Sequence, residues 1–229
     1  MTPRHAALAA TAGMTSLTGA VPANDTLTRA QPVVEVFYSA VVACGRTPRF
    51  KPVISLASND GATRYDPATR AIVLVPYEAL NPGRRAAMDR FAAIGTLGLS
   101  GRDQYGEVFN TLLVGHELGH WVQEVARRPI NRWQAEYEAN RMMVAFWRDH
   151  PSQVATERRL ANFIAQRPGA SMPTDATMSI ETYFNTNVAT IEADPMRYSG
   201  FQKLMVRSAM AEAPKPSFCQ TISAAWPGT

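Results

Sequence analysis

Two histidines four residues apart, with a glutamate beside the first, occur at His116-Glu117-Leu118-Gly119-His120, and these residue types can hold a metal and move a proton. On a helix, positions i and i+4 lie one turn apart on the same face, so His116 and His120 present two imidazole nitrogens to one ion. That is half of a tetrahedral zinc site. Glu117 is short and wrongly directed for the same ion, but it is placed to hydrogen-bond a water in an open coordination position, as a general base must be. From the chain's own His and Glu frequencies, roughly 0.003 such matches are expected at random, so chance is a poor explanation. The surrounding run, Leu112 to Gln123, is apolar, and unpartnered imidazoles and carboxylates would be expensive there. Gly115 and Gly119 each cost about 1 kcal/mol in a helix interior, which predicts that another element approaches closely.

A hydrolytic zinc centre needs a third protein ligand and keeps a fourth position for water. The extended metzincin pattern places Gly three residues and His six residues beyond the second histidine; this chain has Gln123 and Ala126 there, which excludes that class. His5 and His150 lie near the N-terminus and at a helix end, without ligand-like spacing. A carboxylate is therefore the candidate. The run Trp133 to Trp147, WQAEYEANRMMVAFW, reached through a turn at Pro129, offers Glu136 and Glu138 on a second helix.

A His-Glu-x-x-His helix followed by a helix carrying Glu136 and Asn140 resembles the gluzincin zinc metallopeptidases, in particular the CAAX-prenyl-protease-like family and its small single-domain relatives, the minigluzincins. In that group a Glu-x-x-x-Asp follows the active-site helix, the Glu being the third zinc ligand and the Asp buttressing a ligand histidine. The resemblance covers about residues 107 to 147 and implies that Glu136 is the third ligand, with Asn140 standing where the family has Asp. Helical spacing agrees: Glu136 and Asn140 share a face, while Glu138 points about 200° away from Glu136 and is the second choice. An amide at position 140 can accept a ring N–H, but without a charge it raises imidazole basicity less than a carboxylate.

The same resemblance implies a zinc-dependent endopeptidase acting on peptides or proteins. Glu117 would take a proton from water and return it to the leaving amine. A strand before the active-site helix would hold the peptide backbone by β-augmentation, and AIVLV, residues 71–75, is the strand expected to do so. Charge developing on the substrate oxygen calls for a cationic or phenolic donor; Tyr198 is the foremost candidate, with Tyr183 and Arg197 as alternatives. The rival reading is a zinc-bearing binding or regulatory module of the same architecture. Asn140 favours the module, and an intact Glu117 favours the enzyme.

Helices and a hairpin must position these groups. QPVVEVFYSAVVAC, Gln31 to Cys44, reads as a helix with Pro32 in its first turn and Gly45 as its stop. PVISLAS and AIVLV flank the turn-rich NDGATRYDPATR, which predicts two or three short antiparallel strands. Further helices are expected over Pro82 to Ile94, about Gln104 to Val125, about Arg132 to Arg148, Ser152 to Gln166 and Gly200 to Ala211, with a polar loop from Arg167 to Ser179. The expected fold is α+β: a single zincin-like domain over residues 24–229, mostly helical, with a small antiparallel sheet or hairpin before the active-site helix. Trp121, Trp133, Trp147 and the Met142-Met143 pair fall at helical spacings and read as core, and EAPKPS, Glu212 to Ser217, reads as a kink in the tail.

A chain of 229 residues, 46% of them apolar and 18% charged, can bury one sizeable core. Its formal charge of +4 comes from scattered arginines such as Arg84-Arg85 and Arg127-Arg128, a weak field rather than a nucleic-acid-binding stripe. Residues 1–23 read as a secretory signal peptide ending at Val21-Pro22-Ala23, which predicts a secreted or periplasmic protein; a tail on a cytoplasmic protein is the alternative. No later stretch of about 18 apolar residues predicts a transmembrane span. Cys44 and Cys219 can form one bridge in an oxidising compartment, or remain separate buried thiols in a reducing one.

Overall fold

The computed structural model describes residues 24–58, 62–95, 98–150, 159–162, 164 and 177–227. The expected signal segment lies outside them, as does most of the helix expected over 152–166 and of the loop over 167–179, although 159–162 and 164 are helical. Within these residues the order is α1 (Asn24–Ala43), β1 (Val53–Leu56), β2 (Arg64–Asp66), β3 (Ala71–Leu74), a 3-10 turn (Tyr77–Ala79), α2 (Pro82–Ile94), α3 (Gly101–Glu107), a π turn (Val108–Leu112), α4 (Leu113–Ala126), α5 (Arg132–Asp149), α6 (Ile180–Ala193), α7 (Pro195–Ala211) and α8 (Phe218–Ala225). The fold is α+β and mostly helical, with its small sheet ahead of the helix that carries the two histidines.

The sheet is mixed, in the order β1-β3-β2. β2 and β3 form the expected antiparallel hairpin, with Tyr65 opposite Ile72, but β1 runs parallel to β3, with Val53 opposite Ala71. This corrects the expectation of a purely antiparallel sheet. It also corrects the assignment of AIVLV as the peptide-holding strand: β3 is buried along its length and paired on both sides, so it has no edge to offer. The edge that meets α4 is β2, and Tyr65 ties it there with two bonds. Its backbone N–H donates to Glu117 Oε2 at 2.7 Å and its hydroxyl to Glu124 Oε2 at 2.6 Å.

α4 and α5 form the spine. Arg127 adopts a left-handed conformation at the end of α4 (φ 52°), and α5 restarts at a capping box in which Asn131 and Gln134 satisfy each other's backbone N–H. The two helices run antiparallel in close contact. A Cβ built on Gly119 would lie 2.7 Å from Ala139 Cα, and one on Gly115 would lie 3.2 Å from Trp147 Nε1; these are the close approaches that the two glycines predict. Upstream, the helix expected over 104–125 begins at Gly101 and widens through the π turn, where Trp147 Nε1 donates to Leu112 O and Thr111 Oγ1 to Gly106 O.

Phe37 of α1, Phe146 of α5 and Phe218 of α8 meet at centroid distances of 4.8–5.5 Å, joined in one core by Trp121, Trp147, Met142 and Met143. Trp133 belongs to a second cluster with Phe184 and Phe201. Helix α6 and helix α8 were not anticipated. Thr182, Thr186, Val188, Thr190 and Ile191 give α6 a β-branched composition that disfavours helix, so packing against α5 and α7 decides its state. EAPKPS is the connector into α8 rather than a tail kink, with Glu212 held by Tyr137 and Arg141. Cys44 and Cys219 are joined in a disulfide that ties α8 to the end of α1. No helix among the described residues is long and apolar enough to cross a membrane.

Candidate metal centre

His116, Glu117 and His120 sit in the middle of α4, and Glu136 and Asn140 face them from the adjoining turns of α5. The side chains of His116, His120 and Glu136 bring ligand atoms within 4.8 Å of one another, a group that can hold a metal ion. His116 Nε2 lies 3.1 Å from His120 Nε2 and 3.3 Å from Glu136 Oε2, and His120 Nε2 lies 3.7 Å from Glu136 Oε1. Tetrahedral zinc with bonds of 2.0–2.2 Å spaces its ligand atoms about 3.3–3.6 Å apart, so the donor set fits such an ion in both chemistry and spacing. Glu138, the second choice, turns away and pairs with Arg128.

Each ligand imidazole has its other nitrogen engaged. Asn140 Oδ1 faces His116 Nδ1 at 3.2 Å and Gln123 Oε1 faces His120 Nδ1 at 2.9 Å. An amide oxygen can only accept, so both rings carry a proton on Nδ1 and turn Nε2, the nitrogen that can ligate a metal once deprotonated, into the cluster. The two amides are themselves anchored: Gln123 Nε2 donates to Ala135 O, and Asn140 Nδ2 donates to Glu136 O and Gln202 Oε1.

Glu136 is 1% exposed. Tyr198 Oη donates to its Oε2 at 3.0 Å, Gln202 Nε2 donates to the same oxygen at 2.7 Å, and Arg132 Nη2 lies 3.2 Å from Oε1. Burial opposes its charge, yet the hydrogen bonds and charges of the two imidazoles hold its carboxyl well below the usual range. On His120 burial likewise opposes charge, but Glu136 and the nearby Glu117 outweigh it and raise the imidazole to about 9. The pocket therefore favours positive charge, as a cation site must. Glu117, also buried, is pushed up by desolvation against the opposing pull of His116, His120 and the Tyr65 N–H.

The remaining candidates separate. Tyr198 stands beside the cluster, and burial next to the Glu136 charge pushes its phenol up. Tyr183 stacks on Phe201 in the second aromatic cluster and Arg197 pairs with Asp194; among the described residues, neither makes a hydrogen bond or ion pair with His116, His120 or Glu136. His150 packs on Phe146 and Phe218, away from the site. Gln123, Arg132 and Gln202 were missed in the sequence. Gln123, three residues after His120, and Arg132, four before Glu136, had helical spacing as a signal; Gln202 had none, because it arrives from α7. The edge at β2 has little room for peptide pairing: Tyr65 N–H is spent on Glu117, and strand alternation turns the N–H groups of Arg64 and Asp66 toward β3. Comparison with protein-family models, with curated proteins and with solved structures found no match.

Proposed function

We propose that the chain is a zinc-dependent endopeptidase of gluzincin type, hydrolysing peptide bonds in peptides or proteins. The observation that carries this reading is the buried His116, His120 and Glu136 group with the carboxylate of Glu117 beside it; a purely structural metal site has no use for that additional base. His116, His120 and Glu136 would hold the ion. Once bound, zinc supplies Lewis acidity, polarising a carbonyl and lowering the pKa of a water toward about 7. Glu117 does the proton work. Tyr65 N–H holds its Oε2, which leaves Oε1 to take a proton from water as the oxygen adds to the scissile carbonyl carbon. The same oxygen then returns that proton to the amide nitrogen as the C–N bond breaks. Tyr198 and Gln202 orient Glu136, and Asn140 and Gln123 orient the two rings.

A zinc-bearing binding module is the second reading. Glu117 is only 7% exposed and is tied to β2, and the ring of His116 is backed by an amide rather than a carboxylate. Both features would restrain a hydrolase. Export is part of the proposal, supported by the Cys44–Cys219 bridge, which persists in oxidising compartments.

One experiment separates the two readings. Zinc content and cleavage of unfolded protein and mixed peptides are measured for wild type and Glu117→Gln. We expect zinc in both and a loss of at least about 10²-fold in rate for the variant. Cleavage by neither protein, with zinc present in both, would establish the binding module; equal cleavage by both would remove Glu117 from the mechanism.

A further inference from the structure

We infer that Arg132 is the catalytic cation of this site, donating to the substrate's carbonyl oxygen as that oxygen takes on negative charge; the inference rests on the peptidase reading. Arg132 is the first residue of α5, one helical turn before Glu136. Its Nη2 lies 3.2 Å from Glu136 Oε1, and Nε and Nη2 both donate to Glu192 Oε1, at 2.9 and 2.7 Å. The side chain is 48% exposed although the carboxylate it touches is 1% exposed. The guanidinium thus spans from solvent to a ligand of the buried cluster, where an incoming substrate would meet it. Glu192, on the neighbouring α6, holds one edge of the guanidinium fork; among the described residues no hydrogen bond engages Nη1.

Tyr198 is the competing donor, and its geometry argues for another role. Its hydroxyl proton is committed to Glu136 Oε2, an oxygen it shares with Gln202, so it can serve a substrate only by releasing the ligand carboxylate. It is a positioning residue. Arg132 needs no such release, and a hydrogen bond from a cation to a developing oxyanion is roughly twice as strong as one between neutral groups. As water adds to the carbonyl carbon, the π pair of the C=O bond moves onto oxygen, and Nη1–H donates to that oxygen. The bond is worth more in the transition state than with bound substrate, which is the condition for acceleration.

A role limited to balancing the charge of Glu136 makes a different prediction. Removing a cation from beside a ligand carboxylate strengthens that carboxylate's hold on a divalent ion, so Arg132→Met should retain zinc at least as tightly as wild type. With an oxyanion role it should also lose about 10²-fold in kcat with KM little changed, and Arg132→Lys, which keeps the charge but not the fork, should fall between. Inorganic phosphate, a tetrahedral oxyanion, provides the readout that does not depend on turnover. Its affinity for zinc-loaded protein, measured by calorimetry, should drop at least about tenfold in Arg132→Met, the loss of one charge-assisted hydrogen bond, and binding should disappear in metal-free protein. Equal phosphate affinity in the two proteins, no phosphate binding by zinc-loaded wild type, or loss of zinc from Arg132→Met would each overturn the assignment. A zinc-loaded wild type that binds phosphate through Arg132 yet cleaves nothing would instead sink the peptidase reading and reduce Arg132 to an anion-binding group.

Discussion

Asn140 is the residue whose chemistry differs most from what the gluzincin resemblance implies, and its surroundings explain the difference. It accepts from the ring of His116, and its amide also donates to Glu136 O and Gln202 Oε1. A carboxylate could do the first and neither of the others. Asn140→Asp should make the His116 ring more basic and tighten zinc binding, but should destabilise the metal-free protein by about 1–3 kcal/mol, because the part-buried Gln202 Oε1 loses a donor and meets a carboxylate instead; chemical denaturation and zinc titration of the variant check both. The ligand assignment is tested on the same helix. Glu136→Gln removes the anionic member of the candidate cluster and should weaken zinc binding sharply, whereas Glu138→Gln disturbs only the pair with Arg128 and should leave it unchanged. The opposite pattern would mean that the wrong carboxylate has been chosen. Both carboxylates were visible in the sequence, and the gluzincin resemblance, with helical spacing in agreement, implied Glu136; which donors would surround it was not visible, since Tyr198 and Gln202 belong to a helix more than sixty residues away.

At the scale of elements, the site depends on how near α4 and α5 can lie. Gly119 makes the closest approach, against the backbone of Ala139, whereas the atoms facing Gly115 belong to side chains, those of Trp147 and Met143. Gly→Ala in a helix interior is worth about 1 kcal/mol in favour of folding through propensity alone. At Gly119 that gain is overridden, because a methyl 2.7 Å from Ala139 Cα can be accommodated only by moving the helices apart, an overpacking cost of about 1–3 kcal/mol. Gly119→Ala should lower Tm and, by separating Glu136 from the histidines, weaken zinc binding. Gly115→Ala should lower Tm less. A Gly119→Ala protein with wild-type Tm and zinc affinity would show that the contact between the helices is looser than described. Sheet pairing also belongs to this scale. The apolar run of β3 was legible, but alternation and turn residues say nothing about which strand becomes central, and it is the parallel addition of β1 that removes β3 from the edge.

Over the whole molecule, the Cys44–Cys219 bridge joins the two ends of the described chain across a separation of 175 residues. Closing a loop of that length removes entropy from the unfolded chain worth nominally about 5 kcal/mol, less any native strain. Reduction should therefore lower the denaturation midpoint substantially while leaving the cluster intact, since none of its residues lies in α1 or α8. Denaturation with and without reductant, with zinc content followed in parallel, is the measurement. Unchanged stability after the thiols are shown to be free would mean that the core around Phe37, Phe146 and Phe218 holds α8 without help.

The sequence by itself determined the groups that neighbours along one helix can place together: two imidazoles and a carboxylate on α4, a carboxylate and an amide on α5, and a mostly helical α+β fold. Local spacing carries that information because an α-helix has a fixed period. Helix α8 was also within reach, since Ser217 and Gln220 form a capping box at its start; α6 was less so, because its β-branched residues are poor helix formers and the packing of Phe184 and Ile191 and the polar contacts with α5 help hold them in a helix. The tertiary structure alone decided that β3 is interior, that Tyr65 binds the candidate base, that Tyr198 and Gln202 hold the Glu136 carboxylate, and that Arg132 stands at the rim. Each of these joins residues on different elements, and no periodicity within one element records which neighbour the folded chain will bring to it.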